Sequence, residues 1–587
     1  MKIKKYMAAG CLAMAAVSLT SCMDLEPKAE MGDNLVWSSA ENFQLFANQF
    51  YGQVPDMERW FDDSPHGDFR SDLLCGRNVN AVSQGTNTVP PNDGNYNGAY
   101  TNIYYCNLLL KNVGSFGGSY SEIKVPVGEA KFFRAMNYFN LVQLYGNVTL
   151  LTEPVDIDSE KLYGPRDDRG AVIDQCVKDL LEAEEDLPDA PAAEGRLCKD
   201  AARAFLSRVA LYEGTWQKFH TDGANATSTN PRAASLLKIA ADAAQRVITS
   251  NRYQLFYNKD LGEQSYRYMF ILEDEQCNPA GITKSGNKEY ILARRHRLGD
   301  KTGRNITHAI LTSFNFFVTS KMAEMYVCQY GLPIEYNGVT NPQYKGITTR
   351  NSEYENRDNR MRTTLLMPGQ KYFDNDGKWR TKWNDQDYGN CYVAGGEDGP
   401  KAGGVGGSGY AIWKWATERQ MADYMESYDF PFIRLAEVYL NYAEAKFELD
   451  NKISDGDLKW LNEVRNRVNP KMTKLTNDLV TKNGLSMREE IRRERTVELF
   501  LEGFRLDDLK RWATAPEEMS KNLTGIKVSG TWYESKEGYA GRTLDDKGYI
   551  ILYNDRGAWK QSSKLYLYPL PSDQLQLNPK LEQNPGW

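Results

Sequence analysis

The sequence predicts a mainly α-helical protein: a scaffold of helix pairs, a loop-rich insert and a few short strands. Three observations predict it. Apolar residues recur at three- and four-residue spacing through a series of segments. Several of those segments carry alanine-rich faces, which let neighbouring helices approach closely. From Asn258 to Asp429 that period is lost, and turn residues such as Asp374-Asn375-Asp376-Gly377 and the glycines of Gly395 to Gly409 take over.

Asn42 to Tyr51 is the first predicted helix, with Phe43, Phe46, Ala47 and Phe50 on one face. After a polar stretch from Pro55 to Asn97, Ala99 to Val113 and Val127 to Tyr145 form a helix pair around Gly114 to Tyr120. Ala171 to Leu187 is stopped by Pro188; Asp200 to Gly214 and Ala233 to Ile248 follow, both Ala-rich. In the insert, Glu289 to Ala293 reads as a strand. Phe432 to Leu449 and Asp455 to Val468 form a later pair, whose Tyr439, Tyr442, Ala443 and Ala445 resemble the tetratricopeptide pattern without its strict 34-residue period. Ser486 and Glu489 form a capping box opening a helix to about Glu502, with Gly503 as its left-handed cap. Phe504 to Trp512 adds a short helix, and Leu565 to Tyr568 reads as a strand.

The N-terminus carries an address. Lys2, Lys4 and Lys5 precede a short apolar run from Met7 to Leu19, the layout of an export signal, too short to span a bilayer. Leu19-Thr20-Ser21-Cys22 resembles the lipobox of bacterial lipoproteins, which implies cleavage before Cys22 and acylation of that cysteine. Losing the three lysines makes a net charge of −7 more negative, against nucleic-acid binding, which needs a basic surface. The seven cysteines after Cys22 are scattered and form no CxxC pair, so they encode neither a zinc site nor a disulfide framework.

A family resemblance rests on ordered blocks. Ile491-Arg492-Arg493-Glu494-Arg495, Glu498-Leu499, Glu502-Gly503, Arg505, Asp508-Leu509 and Arg511-Trp512 resemble a signature of the SusD/RagB family. Tyr568-Pro569-Leu570-Pro571 and Gln583-Asn584-Pro585-Gly586 resemble its C-terminus. Glu129 to Ala135, Leu144 to Gly146, Arg434 to Tyr439, Asn356 to Arg360 and Gly409-Tyr410 agree further. The resemblance implies a SusD-like, tetratricopeptide-like fold in a Bacteroidetes lipoprotein of the outer membrane, facing the cell exterior. It implies an oligosaccharide ligand, delivery to a SusC-like TonB-dependent outer-membrane transporter, and no catalysis; RagB-type relatives imply a peptide ligand as the alternative. The expected divisions are a signal over 1–21, an acylated linker over 22–40 and a single body over 41–587. That body divides into helical part 41–257, ligand-facing insert 258–429 and signature region 430–587.

Enzyme signatures are lacking. His66, His220, His296 and His308 make no H-E-x-x-H, and G-x-S-x-G is absent. Gly404 to Gly409 satisfies G-x-G-x-x-G without the strand and helix a nucleotide site needs. No pair among the 78 acids is singled out for glycoside hydrolysis, so a surface hydrolase is the weakest reading. The charges of Ile491 to Trp512 read as a seam joining helices. No cofactor is expected, although Asp374, Asn375 and Asp376 leave room for a structural calcium.

A glycan site needs aromatic platforms flanked by amides and carboxylates. One candidate cluster is Asn92, Asp93, Asn95, Tyr96 and Asn97. A second is Trp379, Trp383, Asn384, Asp385 and Tyr388, set among almost wholly polar residues, and a third is Trp60 with Phe61, Asp62 and Asp63.

Overall fold

The structure, a computed structural model, describes residues 37–57, 64–76, 78–222, 231–307, 309–310, 316–368, 370–372, 392–393, 407–417, 424–561 and 563–587. Helix α1 (Ala40–Asn48) starts where the Ser39 hydroxyl accepts from the Asn42 N–H at 3.2 Å, and it buries Phe43 and Ala47. Five longer helices follow: α2 (Gly94–Asn112), α3 (Tyr120–Tyr145), α4 (Arg169–Asp186), α5 (Lys199–Gln217) and α6 (Pro231–Thr249). Each packs on the next, from α2 through α6.

Two of these helices start earlier than the apolar period suggests, and caps explain why. The Asp93 carboxylate accepts from the Asn95 N–H at 2.9 Å, starting α2 at Gly94. A capping box of Ser119 and Glu122 secures the first turn of α3, which then runs through Pro126. The alanine faces meet as expected: Ala201 and Ala204 of α5 and Ala240 and Ala244 of α6 are fully buried. Gly214 marks the tightest approach, since a Cβ there would lie 3.0 Å from Leu237 of α6.

After Thr249 the chain leaves the stack and returns as α7 (Leu435–Asp450), packed on α6 and α5. A loop-rich excursion is thereby inserted between two helices that are neighbours in space. Strand β1 (Leu74–Gly76) pairs with β3 (Phe316–Val318), and β2 (Tyr290–Arg294) with β4 (Phe430–Arg434), both antiparallel. The second pair zips the neck of the insert immediately before α7. Trp413, Trp415, Phe270, Tyr428 and Leu365 of the insert lie in a second core that Phe69, Leu73 and Leu74 enter from the N-terminal part. Val497 and Phe500 join that core from the C-terminal region, which holds α8 (Lys459–Asn466), α9 (Met487–Leu499) and α10 (Arg505–Arg511). Each large apolar side chain so buried contributes roughly 1.5–3 kcal/mol.

The signature charges form the seam between insert and scaffold. Arg434, at the end of β4, donates to Glu289 at 2.8 Å, Glu498 at 2.7 Å and Glu502 at 2.6 Å. Arg467 also pairs with Glu289 and Glu498. From the insert, Arg360 reaches Glu494 at 2.7 Å and Glu498 at 2.9 Å, and Lys414 reaches Glu502 at 2.7 Å. Burial pushes the Glu498 carboxyl up, but the three arginines more than offset it and hold it far below the usual range.

The C-terminal run needs a correction. Leu565 to Tyr568, expected as a strand, is instead a 3₁₀ turn over Ser563–Tyr566. Its alternating residues pack against helix ends: Leu565 is buried, Leu567 lies against Gly146, and the Tyr568 N–H donates to the Leu144 carbonyl at 2.6 Å. Helix α9 also stops short of Glu502, because Leu501 and Gly503 both take left-handed backbone, at φ 63° and 80°.

Candidate functional site

Helices α2, α3 and α5 each turn one face toward a cavity of about 420 Å³. Helix α2 contributes Gly94, Asn95, Gly98, Ala99 and Asn102; α3 contributes Met136, Phe139, Asn140 and Gln143. Both sets follow helical spacing, so each is a continuous stripe. Helix α5 adds Phe205, Arg208, Leu211 and Tyr212, β4 adds Phe430 and Phe432, and the segment Leu501 to Arg511 adds Phe504 and Asp507. The exposed residues Gly94, Asn95, Gly98 and Asn140 mark the rim, whereas Tyr212, Asn441 and Arg495 are buried.

The polar groups differ in how far they are committed. His66 Nδ1 lies 2.5 Å from Asp507 Oδ2, and its Nε2 lies 3.1 Å from Asn140 Oδ1. Arg208 donates to both oxygens of Glu437, at 2.6 and 2.7 Å, while its guanidinium lies 4.7 Å from the Phe432 ring centroid and 5.1 Å from that of Phe504. Arg495 donates to Asp508 at 2.8 Å and to Asn441 at 2.7 Å. Asp68, at the edge of the cavity, accepts from the Leu501 N–H at 2.6 Å; burial nevertheless pushes its carboxyl up to about 7. Burial, with Asp507 nearby, also raises the Tyr212 phenol, whose hydroxyl has no hydrogen-bond partner among the described residues.

The structure distributes the residues singled out in the sequence. Of the first cluster, Asn95 lines the cavity and its amide donates to Asp93 at 3.0 Å. Asp93 itself caps α2 and accepts from the Tyr145 hydroxyl at 2.5 Å. Tyr96 turns inward, its ring centroid 5.0 Å from that of Tyr100 and 5.2 Å from that of Tyr145, while Asn92 and Asn97 are exposed. Trp379, Trp383, Asn384, Asp385 and Tyr388 lie outside the described residues, as do Cys22 and Trp60 to Asp63. Met57 and Ser64, the described neighbours of that last group, both line the cavity. Gln143, Tyr212, Phe432 and Asp507 escaped the sequence reading. Gln143 had left a signal, as a lone amide in the apolar run Leu141-Val142-Gln143-Leu144; so had Gly94 and Gly98, two glycines inside one helical turn pattern.

Among the described residues no group of three or more His, Cys, Asp or Glu side chains is placed to hold a metal ion. Asp374, Asn375 and Asp376 lie outside them. Cys75, Cys106, Cys176, Cys198, Cys277 and Cys328 are buried and unbridged.

Comparison with known proteins bears on the family and the fold. Residues 288–587 match the profile of the SusD family, and residues 24–211 match one described as starch-binding associating with outer membrane. A SusD-like protein of Bacteroides ovatus is 23% identical over 554 residues, 87% of this chain and 83% of that protein. SusD-like protein P25 of Formosa agariphila is 31% identical over 121 residues; the match spans 20% of this chain and only 23% of that protein's length. Two solved structures from Bacteroides fragilis share the fold, each with a TM-score of 0.69 and 23% identity. One is of a SusD-like protein, with 95% of this chain and 99% of that chain covered. The other is of a SusD-like carbohydrate-binding protein, with 93% and 100% covered.

Proposed function

The chain belongs to the SusD family, and on that premise we propose that it is a cell-surface glycan-binding lipoprotein. It captures oligosaccharide or polysaccharide and passes it to a SusC-like TonB-dependent outer-membrane transporter. The observation that carries this reading is the cavity: amides of Asn95, Asn140 and Gln143 beside the rings of Phe139 and Phe432, the pairing that sugar hydroxyls and apolar ring faces require. Support also comes from the outer-membrane starch-binding profile over residues 24–211 and from the carbohydrate-binding relative of Bacteroides fragilis.

Attachment through lipid at Cys22 fits a body in which no described helix is long and apolar enough to cross a membrane. The cluster Trp379, Trp383, Asn384, Asp385 and Tyr388, which lies outside the described residues, is proposed from its sequence as a second contact for the glycan chain. The role is capture without cleavage.

Screening the purified protein against a glycan array and in polysaccharide-containing native gels tests the reading. Retention on at least one glycan, without release of product, is expected. Binding of peptides with no glycan bound would transfer the protein to the peptide-capturing branch of the family, and product release would make it a hydrolase.

A further inference from the structure

Resting on the glycan-capture reading, we infer that the cavity between α2, α3 and α5 is a subsite for one neutral sugar unit, and that acidic sugars are turned away from it. At about 420 Å³ it lies toward the small end of ligand sites, which run from roughly 300 to 1,000 Å³. It therefore suits a short piece of a glycan, with the rest of the chain passing over the rim.

Two features select the chemistry. Gln143 is 8% exposed, lines the cavity, and makes no side-chain hydrogen bond with any described residue. Its amide offers two donors and an acceptor at a depth where little else can match them. A sugar hydroxyl donates and accepts at once, so it replaces cavity water there without loss of hydrogen bonding. A wholly apolar ligand would leave the amide unmatched.

Charge supplies the second feature. Arg208 is held by both oxygens of Glu437, Arg495 by Asp508, and Arg511 by Glu444. Every guanidinium among the described lining residues is thus already matched by a carboxylate. Asp507 is different: its side-chain hydrogen bond goes to His66 through one oxygen, and no described residue donates to the other, which can accept from an incoming hydroxyl. A uronate or sulfate would meet that carboxylate at short range with no uncommitted lining cation among the described residues to offset the repulsion; Lys510, which interacts electrostatically with Asp507, does not line the cavity.

Gly98 provides the test. It lines the cavity at its exposed rim, and a Cβ built there meets nothing within 4 Å, so a larger side chain at the rim is accommodated without disturbing the helix packing. Calorimetry of the purified protein would compare neutral oligosaccharides (malto-, xylo- and manno-series) with oligogalacturonate and a sulfated galactan. The expected result is binding of at least one neutral series, with the acidic probes at least tenfold weaker. Gly98→Phe and Gln143→Leu should each weaken the neutral ligand at least tenfold. Independently, alkylation at position 98 of Gly98→Cys, read by mass spectrometry, should slow when that neutral glycan is present, which decides the matter should Gly98→Phe fail to fold. A preference for the acidic probes overturns the inference and leaves glycan capture standing. So does unchanged affinity in both variants with no protection at position 98. Absence of any glycan binding by the unaltered protein overturns both readings.

Discussion

Replacing Glu498 by Gln tests whether the charged seam fastens the insert to the scaffold. The substitution keeps the side-chain volume and removes the charge. The Glu498 side chain is fully buried and its two oxygens serve Arg434, Arg467 and Arg360, whose side chains are no more than 2% exposed. Without the carboxylate, Arg467 keeps only Glu289 among the carboxylates paired with it here, and an amide N–H is forced among guanidinium donors. Breaking one partner out of a buried ion cluster costs roughly 3–5 kcal/mol, because the remaining charges stay desolvated. That is a large part of the ~5–15 kcal/mol by which folded proteins are stable. The surface pair Lys482–Asp478, 2.7 Å apart and about 70% exposed on both sides, is the control; Asp478→Asn should cost less than ~0.5 kcal/mol. Urea unfolding would compare the midpoints, and amide exchange would follow β2 and β4 at the neck of the insert. A markedly lower midpoint for Glu498→Gln, with faster exchange in both strands, is expected. A midpoint equal to that of Asp478→Asn, with exchange unchanged, would refute the reasoning.

Glu353 is buried, with its carboxylate accepting from the Tyr410 hydroxyl at 2.7 Å, and burial pushes its carboxyl up to about 7 despite nearby Arg357. The folded state therefore holds a proton that the unfolded state has released between the ordinary value of 4.5 and about 7, so stability from this group is full below that window and is lost as pH rises through it. Glu353→Gln should flatten the decline in melting temperature across that range, a difference of up to ~3 kcal/mol. Cys22→Ala should abolish incorporation of labelled palmitate and release the protein from membranes, as fractionation would show. Trp379→Ala with Trp383→Ala should weaken retention in a polysaccharide gel severalfold; unaltered retention would remove that cluster from the binding surface.

The scaffold was legible because its signals are local. Ala201, Ala204, Ala240 and Ala244 announce close helix packing at a fixed period, and that period survives into the structure as buried contacts. Helix starts were legible where the apolar stripe begins with the helix, as at Asp200, and were missed where an unread cap starts it earlier: Asp93 and Ser119 each set a start ahead of the first clear apolar stripe. Leu565 to Tyr568 failed because alternation of large residues marks a strand only when a partner strand is at hand, and here the residues meet the ends of helices instead. The cavity was the least legible part. It is built from Gly98, Gln143, Tyr212, Phe432 and Asp507, which lie far apart in sequence and converge only through the packing of helices and of β4. Tyr96, read as an open ring, is instead claimed by Tyr100 and Tyr145.

The signature segment has two duties that pull against each other, and the structure shows how they are reconciled. Glu502 lines the cavity yet gives its oxygens to Arg434 and Lys414; Arg495 and Asp508 line it yet pair with one another. Gly503 carries the turn between them, left-handed and with its absent Cβ 3.6 Å from the His66 carbonyl, so the loop bearing His66 can close over the segment. Because these charges neutralise each other inside the wall, they hold the insert in place without dictating what enters the cavity. Discrimination then falls to Asp507, which takes no part in those pairs, and to α2 and α3, where Asn95, Asn102, Asn140 and Gln143 can change without touching one seam partner. A fold arranged this way can keep its charged joint constant while its ligand preference shifts, since the two sets of side chains share a cavity but no ion pair.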